Sequence, residues 1–160
     1  MRFLPAGDLA VSVELGDEIS REVNARVLAL EYLIQQKGLP GVVETVPTFR
    51  SLLVYYDPFV VGYEELVASL TALIPEARAE VLPPARTVEI PCCYGGELGF
   101  ELDAAAARIG LTPEEMARLH SGADYYVYFV GFTPGLPYMT GMPERLTIPR
   151  LQTPRTSTPA

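Results

Sequence analysis

The sequence predicts an α+β fold in its first half and a region of different character in its second half. Three observations carry this prediction: strand, helix, strand, strand and helix patterns follow one another before residue 83, a Pro83-Pro84 pair interrupts the chain, and residues 131–160 are rich in Gly, Pro and Thr. A length of 160 residues allows one ordinary domain or two small ones. We therefore expect two domains, at residues 1–83 and 84–160.

The first strand and the first helix follow from two different apolar periodicities. Residues 10–15 alternate between apolar and polar side chains, which is typical of a half-buried strand. Residues 19–34 carry apolar side chains at three- and four-residue steps, which predicts a helix. Asp17 is the expected N-cap of this helix, and Gly38 is expected to end it.

The next elements complete a two-layer pattern. Residues 42–46 and 51–56 read as two strands joined by a short connection, and residues 63–74 predict a second helix. A final strand, either at residues 79–82 or at residues 87–91, would complete a ferredoxin-like arrangement. In that arrangement two helices cover one face of an antiparallel sheet.

The second half carries two short helix patterns, a strand and a long loop. Residues 103–109 and 113–120 are predicted helices, and the second of them is preceded by a capping box at residues 112–115. An aromatic and β-branched strand is predicted at residues 125–130. It leads into residues 131–143, where three glycines and three prolines predict a stiff loop with unusual backbone angles.

Charge and hydropathy exclude several classes of partner. The formal net charge of -8 argues against nucleic acid and against anionic membrane as partners. No apolar run reaches the roughly 18 residues of a membrane helix, and the N-terminal residues do not open a signal peptide. We therefore expect a cytoplasmic protein that binds neither nucleic acid nor membrane.

Scarce residue types exclude several kinds of site. Lys37 is the only lysine and no glycine-rich loop precedes it, so neither a P-loop nor a Schiff-base lysine is expected. His120 is the only histidine, which excludes a zinc site built on several histidines of one chain. Cys92 and Cys93 are adjacent without a second pair, and we expect reduced thiols at a strand end. The chain therefore offers no metal ligand set.

Two segments remain open between a functional and a structural interpretation. The loop at residues 131–143 either contacts a ligand or partner, or plugs the end of a β-barrel with its apolar side chains. The segment Tyr94-Gly95-Gly96-Glu97 either admits a small anion or a carbonyl oxygen near backbone N–H groups, or is a plain turn between a strand and a helix.

The single histidine and three arginines are equally open. His120 either acts as a general base or a donor to a polarised carbonyl, or is a partly buried histidine bonded to backbone. Arg145, Arg150 and Arg155 each lie near a proline. They either bind a carboxylate or phosphate through guanidinium groups on rigid segments, or form a solvated edge.

Several segments, in order along almost the whole chain, resemble the allophanate hydrolase subunit 1 family. This family includes PxpB, which is the B component of 5-oxoprolinase, and the sporulation kinase inhibitor KipI, and it is of the carboxyltransferase subdomain C and D type. The segments are residues 46–54 (VPTFRSLLV), 56–58 (YDP), 90–97 (IPCCYGGE), 119–120 (LH) and 130–138 (VGFTPGLPY), with the Pro-Arg pairs at 149–150 and 154–155.

The resemblance implies a fold, an activity and partners. It implies a small N-terminal α/β domain followed by a mainly-β, cyclophilin-like barrel domain. Family members continue beyond the Pro-Arg motif, so we expect this barrel to be incomplete in the present chain. The implied activity is a 5-oxoprolinase that opens 5-oxoproline to glutamate with ATP. A subunit 2 homologue (PxpC-like) and a PxpA-like protein are the implied partners and are expected to bind most of the ATP.

The implied role of this chain is to bind and orient the substrate, not to act alone. His120 is the expected catalytic residue. The expected substrate-binding residues are Tyr94, Gly95, Gly96, Gly131, Phe132, Pro134, Gly135, Pro137, Tyr138, Arg150 and Arg155. Two alternatives stay open: a KipI-like inhibitor that docks on a histidine kinase, and a fragment of an allophanate hydrolase or urea amidolyase-type protein.

Overall fold

The computed structural model describes residues 1–150, 152 and 153, and the chain forms two compact units. The first unit contains residues 1–86 together with residues 127–139. The second unit contains the described residues from 87 to 126 and from 140 onward. The fold is mixed α/β with antiparallel strand pairing, and the domain boundary expected at residue 83 stays a prediction.

A four-stranded antiparallel sheet forms the first layer of the first unit. Its strands are β1 (Arg2–Pro5), β2 (Ala10–Glu14), β3 (Val42–Pro47) and β4 (Ser51–Tyr56). Their order across the sheet is β1-β2-β4-β3, and each neighbouring pair is antiparallel. The structure confirms the three strands predicted for β2, β3 and β4, and the β3–β4 hairpin.

The prediction of a closing strand was wrong. Ala79–Val81 is a short 3-10 helix, and residues 87–91 contain no strand. The sheet position beside β2 is occupied instead by β1, which pairs along its whole length from Arg2 opposite Glu14 to Pro5 opposite Val11. A four-residue edge strand that is mostly exposed has no apolar alternation, so no local pattern predicts β1.

Two helices form the second layer, and both were predicted. They are α1 (Arg21–Lys37) and α2 (Tyr63–Leu73). Gly38 ends α1 as predicted, with a φ of 59° and its N–H donating to the Ile34 carbonyl at 3.0 Å. The N-cap is Ser20 and not the predicted Asp17. The helix begins at Arg21, and the Ser20 hydroxyl accepts from the Val23 N–H of the first turn at 3.2 Å.

The core of the first unit lies between this sheet and the two helices. Alternate residues of β2 and β4 face the helices because successive strand side chains point to opposite faces. Each fully buried aliphatic side chain contributes about 1.5–3 kcal/mol relative to an exposed one. The largest fully buried apolar side chains are Val11, Val13, Val27, Leu30, Leu52, Val54, Leu66 and Leu70.

A second sheet contains two strands, β5 (Tyr126–Val130) and β6 (Pro137–Thr140). The strand predicted at residues 125–130 is confirmed. The segment expected to be one long loop is partly β6, so the connection shortens to residues 131–136. Residues 127–139 of this hairpin belong to the first unit.

The second unit contains the two helices predicted for it, α3 (Leu102–Arg108) and α4 (Pro113–Ser121). A short 3-10 helix at Glu144–Leu146 follows later in the chain. The buried apolar residues of this unit are Ala106, Leu111 and Leu146. The cyclophilin-like barrel is not confirmed. Within the described part of the chain, no helix has the length and apolar character needed to span a bilayer.

Candidate functional site

Tyr94 and His120 are brought together in the second unit. His120 occupies the last turn of α4, and Tyr94 lies in the irregular segment that precedes α3. The Tyr94 Oη atom is 2.6 Å from Nδ1 of His120, and the two ring centroids are 5.8 Å apart in an edge-on arrangement. Both side chains are half-buried. Two predicted site residues therefore share a direct hydrogen bond.

The start of α4 fixes the helix that carries His120. The Thr112 hydroxyl accepts from the Glu115 N–H at 3.2 Å, and the Glu115 carboxylate accepts from the Thr112 N–H at 2.9 Å. This is the capping box that the sequence predicts. The Thr112 backbone hydrogen bond, opposed by burial and supported by Arg145, lowers the pKa of Glu115. The carboxylate is therefore charged at the positive end of the helix dipole.

Tyr125 is a second phenol beside His120, and the sequence interpretation missed it as a site residue. Its hydroxyl donates to the backbone carbonyl of His120 at 3.2 Å, and its ring centroid is 5.4 Å from that of the imidazole. Tyr125 lies directly before β5, and in the sequence it reads as part of the strand pattern. No spacing rule links a strand-end tyrosine to a helix-end histidine, so only the tertiary fold reveals this contact.

Both phenols are protonated at neutral pH, and burial strengthens that preference. Burial, followed by the neighbouring Cys92, raises the pKa of Tyr94, and burial raises the pKa of Tyr125. Both phenols therefore keep their hydrogen at neutral pH and can donate it, and the hydroxyl of Tyr125 donates to the His120 carbonyl. Both neutral phenols contact His120, and the imidazole nitrogen that does not face Tyr94 suits hydrogen bonding to a carbonyl or anionic oxygen.

The glycines after Tyr94 form a turn without a preceding strand. Gly95 and Gly96 have positive φ values of 79° and 60°, a region that strongly favours glycine. The Gly99 N–H donates to the Gly95 carbonyl at 2.9 Å and closes the turn. The strand expected before this turn, at residues 87–91, is absent, so that part of the prediction was wrong. Cys92 and Cys93 are exposed free thiols, and they do not lie at a strand end.

The predicted arginine cluster is only partly described. Arg145 lies in the 3-10 helix at Glu144–Leu146, and its positive charge helps to lower the pKa of Glu115 in the capping box. Arg150 is exposed, and Arg155 lies outside the described residues. The anion-binding role of these arginines stays a prediction. Among the described residues, no group of three His, Cys, Asp or Glu side chains is arranged to hold a metal ion.

The predicted loop residues lie on the β5–β6 hairpin of the first unit. Tyr138 on β6 stacks on Phe129 at 4.5 Å between ring centroids, and its ring is 5.8 Å from that of Phe49. Phe132, in contrast, is 89% exposed and has a positive φ of 65°. The apolar side chains of this segment therefore divide between packing and exposure.

The connection between the two strands has the unusual backbone that its glycines and prolines predict. The Gly131 N–H donates to the Leu136 carbonyl at 3.0 Å, and Gly135 has a φ of 84°. Pro134 and Gly135 are exposed, whereas Gly131 and Pro137 are partly buried. These residues form a compact, exposed tip, and a ligand-binding role for them stays a prediction.

Comparison with known proteins gives a consistent set of relatives. The chain is 38% identical over 164 residues to the 5-oxoprolinase B component of Bacillus subtilis, covering 96% of this chain and 68% of the relative. It is 36% identical to the 5-oxoprolinase B component of Haemophilus influenzae, covering 100% of this chain and 73% of the relative. The corresponding protein of Escherichia coli O157:H7 is 34% identical and is covered over 69% of its length.

Solved structures support the same relationship. The crystal structure of TTHA0988 matches with a TM-score of 0.79 and 36% identity over 94% of this chain, which spans only 29% of that longer protein. The urea amidolyase of Kluyveromyces lactis matches with a TM-score of 0.57 at 16% identity over 87% of this chain and 10% of that protein, and it indicates a shared fold only. The family model for the carboxyltransferase domain, subdomain C and D, matches residues 1–160. The chain therefore belongs to this carboxyltransferase subdomain C and D family, together with the B components of 5-oxoprolinase.

Proposed function

We propose that this chain is a subunit of an ATP-dependent 5-oxoprolinase, which opens 5-oxoproline to glutamate, and that it binds and orients the substrate. The observation that carries this proposal is the 34–38% identity to the B components of three 5-oxoprolinases over 96–100% of the chain. The Tyr94–His120 contact supports it, because a lactam carbonyl needs a positioned hydrogen-bond donor.

The sequence of this chain contains no ATP site of the P-loop type. The single lysine, Lys37, is exposed and its Nζ atom is 3.0 Å from a carboxylate oxygen of Glu76. No Gly-Lys-Ser/Thr loop is present in the sequence to cradle phosphates. We therefore assign ATP to the partner chains of the proposed complex, a subunit 2 homologue (PxpC-like) and a PxpA-like protein.

The proposed contribution of this chain is positioning. A lactam is a poor electrophile, so holding its carbonyl in one orientation lowers the barrier to ring opening. His120 is the proposed contact to the carbonyl oxygen, with Gly95 and Gly96 beside Tyr94 as backbone contacts. The β5–β6 connection and the start of β6, residues 131–138, are proposed, separately, as a contact to substrate or partner.

The carboxylate of 5-oxoproline requires a cationic partner. Arg150 and Arg155 are the proposed partners, since guanidinium groups bind carboxylates through two parallel hydrogen bonds. We also propose the finer descriptions of the fold, a ferredoxin-like domain at residues 1–83 and a cyclophilin-like barrel domain from residue 84. The four-stranded sheet with its two helices supports the first description, with β1 in the sheet position that the closing strand was predicted to take.

The test is reconstitution with the candidate partner chains. Co-expression is expected to give a stable complex that forms glutamate only when both ATP and 5-oxoproline are present. In that complex, His120→Ala is expected to lower kcat on the order of 100-fold, as loss of a positioned hydrogen-bond donor to a carbonyl oxygen does. Arg108→Ala, at an exposed position of α3, is the control and is expected to retain wild-type turnover.

Three outcomes would contradict parts of the proposal. Full activity of His120→Ala would remove His120 from the reaction. ATP hydrolysis by this chain without partners would contradict the assignment of ATP to them. A chain that forms no such complex but inhibits a histidine kinase would be a KipI-like regulator instead.

A further inference from the structure

We propose that Tyr94 is a positioning residue that selects one tautomer of His120, and that it does not bind the substrate itself. Its hydroxyl donates to Nδ1, so the hydrogen of the neutral imidazole is held on Nε2. His120 then presents a hydrogen-bond donor, and not a base, to its ligand. Only the identity of that ligand as a lactam rests on the proposed function.

The distance between the two atoms favours the hydroxyl as donor. Hydrogen bonds from N–H to oxygen are normally about 2.7–3.2 Å long, whereas those from a hydroxyl group extend to shorter distances. The separation of Tyr94 Oη and His120 Nδ1 is 2.6 Å, below the N–H range. An unprotonated imidazole nitrogen also offers an in-plane lone pair, which makes it a good acceptor for a phenol.

Cys92 is the competing neighbour of the Tyr94 hydroxyl, and it does not displace His120. A thiol is only a weak acceptor, so the phenol hydrogen gains more from the imidazole nitrogen. Burial and the interaction with Cys92 both raise the pKa of Tyr94, which keeps the phenol hydrogen in place at neutral pH. The Tyr94 hydroxyl is therefore the donor and Nδ1 of His120 is the acceptor.

Tyr125 contacts the backbone of His120, whereas Tyr94 contacts its ring. Its hydroxyl donates to the His120 backbone carbonyl at 3.2 Å, so the residue is fixed at the backbone by one phenol and at the ring by another. Across residues 1–150, 152 and 153, no hydrogen bond occupies Nε2 of His120. The Nε2–H group is therefore available to an oxygen acceptor, either a carbonyl or an anionic oxygen.

The tautomer can be read directly because His120 is the only histidine of the chain. The full chain, labelled with ¹⁵N, gives one pair of imidazole nitrogen signals in a long-range ¹H–¹⁵N spectrum. The spectrum is recorded at a pH above which the two nitrogen signals no longer move, which identifies the neutral ring. We expect Nε2 at the position of a fully protonated nitrogen and Nδ1 at that of an unprotonated acceptor.

Two matched substitutions separate a tautomer effect from a general structural effect. In Tyr94→Phe, the Nε2 signal is expected to move toward the unprotonated position, because both tautomers become populated. In Tyr125→Phe, which removes a hydroxyl from the backbone side only, that signal is expected to stay in place. Backbone amide spectra establish that both variants are folded.

The wild-type spectrum is decisive even if a variant fails to fold. A hydrogen on Nδ1 in the wild type would overturn the proposal. An unchanged Nε2 signal in folded Tyr94→Phe would overturn it as well, and so would an equal displacement in Tyr125→Phe.

These measurements need no partner chain, so they distinguish the two proposals. A complex without 5-oxoprolinase activity would refute the proposed function and leave the tautomer assignment standing. In an active complex, Tyr94→Phe is expected to lower kcat roughly five- to tenfold, the effect of one lost hydrogen bond, with KM little changed. A rise in KM at constant kcat would instead indicate that Tyr94 binds substrate.

Discussion

Asn24 is a buried polar residue that ties the β5–β6 hairpin to the rest of the first unit. Its side chain has no solvent exposure, and its Nδ2 atom donates to the Thr48 carbonyl at 3.0 Å and to the Tyr128 carbonyl at 3.3 Å. One amide group therefore links α1, the β3–β4 connection and β5. Asn24 is therefore a polar residue on the buried face of α1.

Replacing Asn24 with leucine tests this link. Asn24→Leu keeps a similar volume and removes both donated hydrogen bonds, so the free energy of unfolding is expected to fall by about 2 kcal/mol. Denaturant unfolding monitored by circular dichroism measures the change. Gln36→Ala, which removes an exposed amide from the same helix, is the control. Equal stability of Asn24→Leu and wild type would show that the two bonds contribute nothing.

Phe132 combines an exposed aromatic ring with a backbone conformation that disfavours it. Its φ of 65° costs a residue with a Cβ about 1 kcal/mol relative to glycine. Phe132→Gly is therefore expected to raise the free energy of unfolding by up to about 1 kcal/mol, the gain being reduced by the greater entropy of unfolded glycine. Phe132→Ala, which keeps the strained φ, is the control and is expected to give no such gain.

At the scale of elements, α1 carries a carboxylate, that of Glu31, whose charged form is disfavoured by burial. Glu31 is half-buried and accepts from the Thr45 hydroxyl on β3 at 3.0 Å. Burial raises the pKa of Glu31, and this hydrogen bond only partly opposes the shift. The folded state therefore favours the protonated form of Glu31 more than the unfolded state does. The resulting stabilisation is complete below the unfolded-state pKa and is lost as the pH rises through the raised pKa.

Glu31→Gln is expected to stabilise the protein at neutral pH. A neutral amide still accepts from Thr45, and the gain is expected to be about 0.5 kcal/mol because the site is partly solvated. The difference from wild type should shrink as the pH falls through the Glu31 pKa. Glu22→Gln removes the same charge from the first turn of α1, where a negative charge is favourable, and should not stabilise. A gain that is independent of pH would contradict the burial argument.

The capping box at the start of α4 helps to position His120 at the end of the same helix. The box fixes the first turn of a nine-residue helix, and His120 occupies the last turn. A short isolated helix is marginal in water, so the cap and the packing of Met116 and Leu119 are needed to hold the last turn in place. The position of the imidazole therefore depends on a cap at the opposite end of the helix as well as on local packing.

At the scale of the whole molecule, the first unit is discontinuous in sequence. Residues 127–139 belong with residues 1–86, and Phe49 contacts three aromatic rings of that later segment. These rings are Tyr128 at 5.1 Å, Phe129 at 4.9 Å and Tyr138 at 5.8 Å. Edge-on aromatic pairs contribute about 0.5–1.5 kcal/mol beyond their buried area. The hairpin is therefore expected to stabilise the N-terminal sheet and helices.

A fragment of residues 1–86 tests this dependence. Phe49→Ala is expected to lower the free energy of unfolding by about 3 kcal/mol in the full chain, where the ring packs against the hairpin. The same substitution is expected to cost much less in the fragment, which lacks those partners. Urea unfolding of the four proteins gives the difference. An equal cost in both backgrounds would show that Phe49 packs only within residues 1–86 and would favour the boundary predicted at residue 83.

Local patterns were sufficient wherever an element buries one regular face. Helix α1 and strand β2 each repeat apolar residues at the period of their own geometry, and the capping box before α4 is a local motif. Local patterns did not predict β1, because an exposed edge strand gains its stability from pairing and not from its own pattern. They also led to the wrong prediction of a closing strand after α2. Of the candidate site, the sequence singled out Tyr94 and His120, and it missed Tyr125.

The amino-acid order by itself determined the helices, three of the four strands of the main sheet, the family, and the lack of a phosphate-binding lysine loop. Each of these depends on neighbours within a few residues, or on residue types alone. Only the tertiary structure decided which strand lies beside β2, which segment completes the first unit, and that two phenols hold the single histidine. These are contacts between residues far apart in the chain, and their energies depend on burial and distance that no local pattern contains.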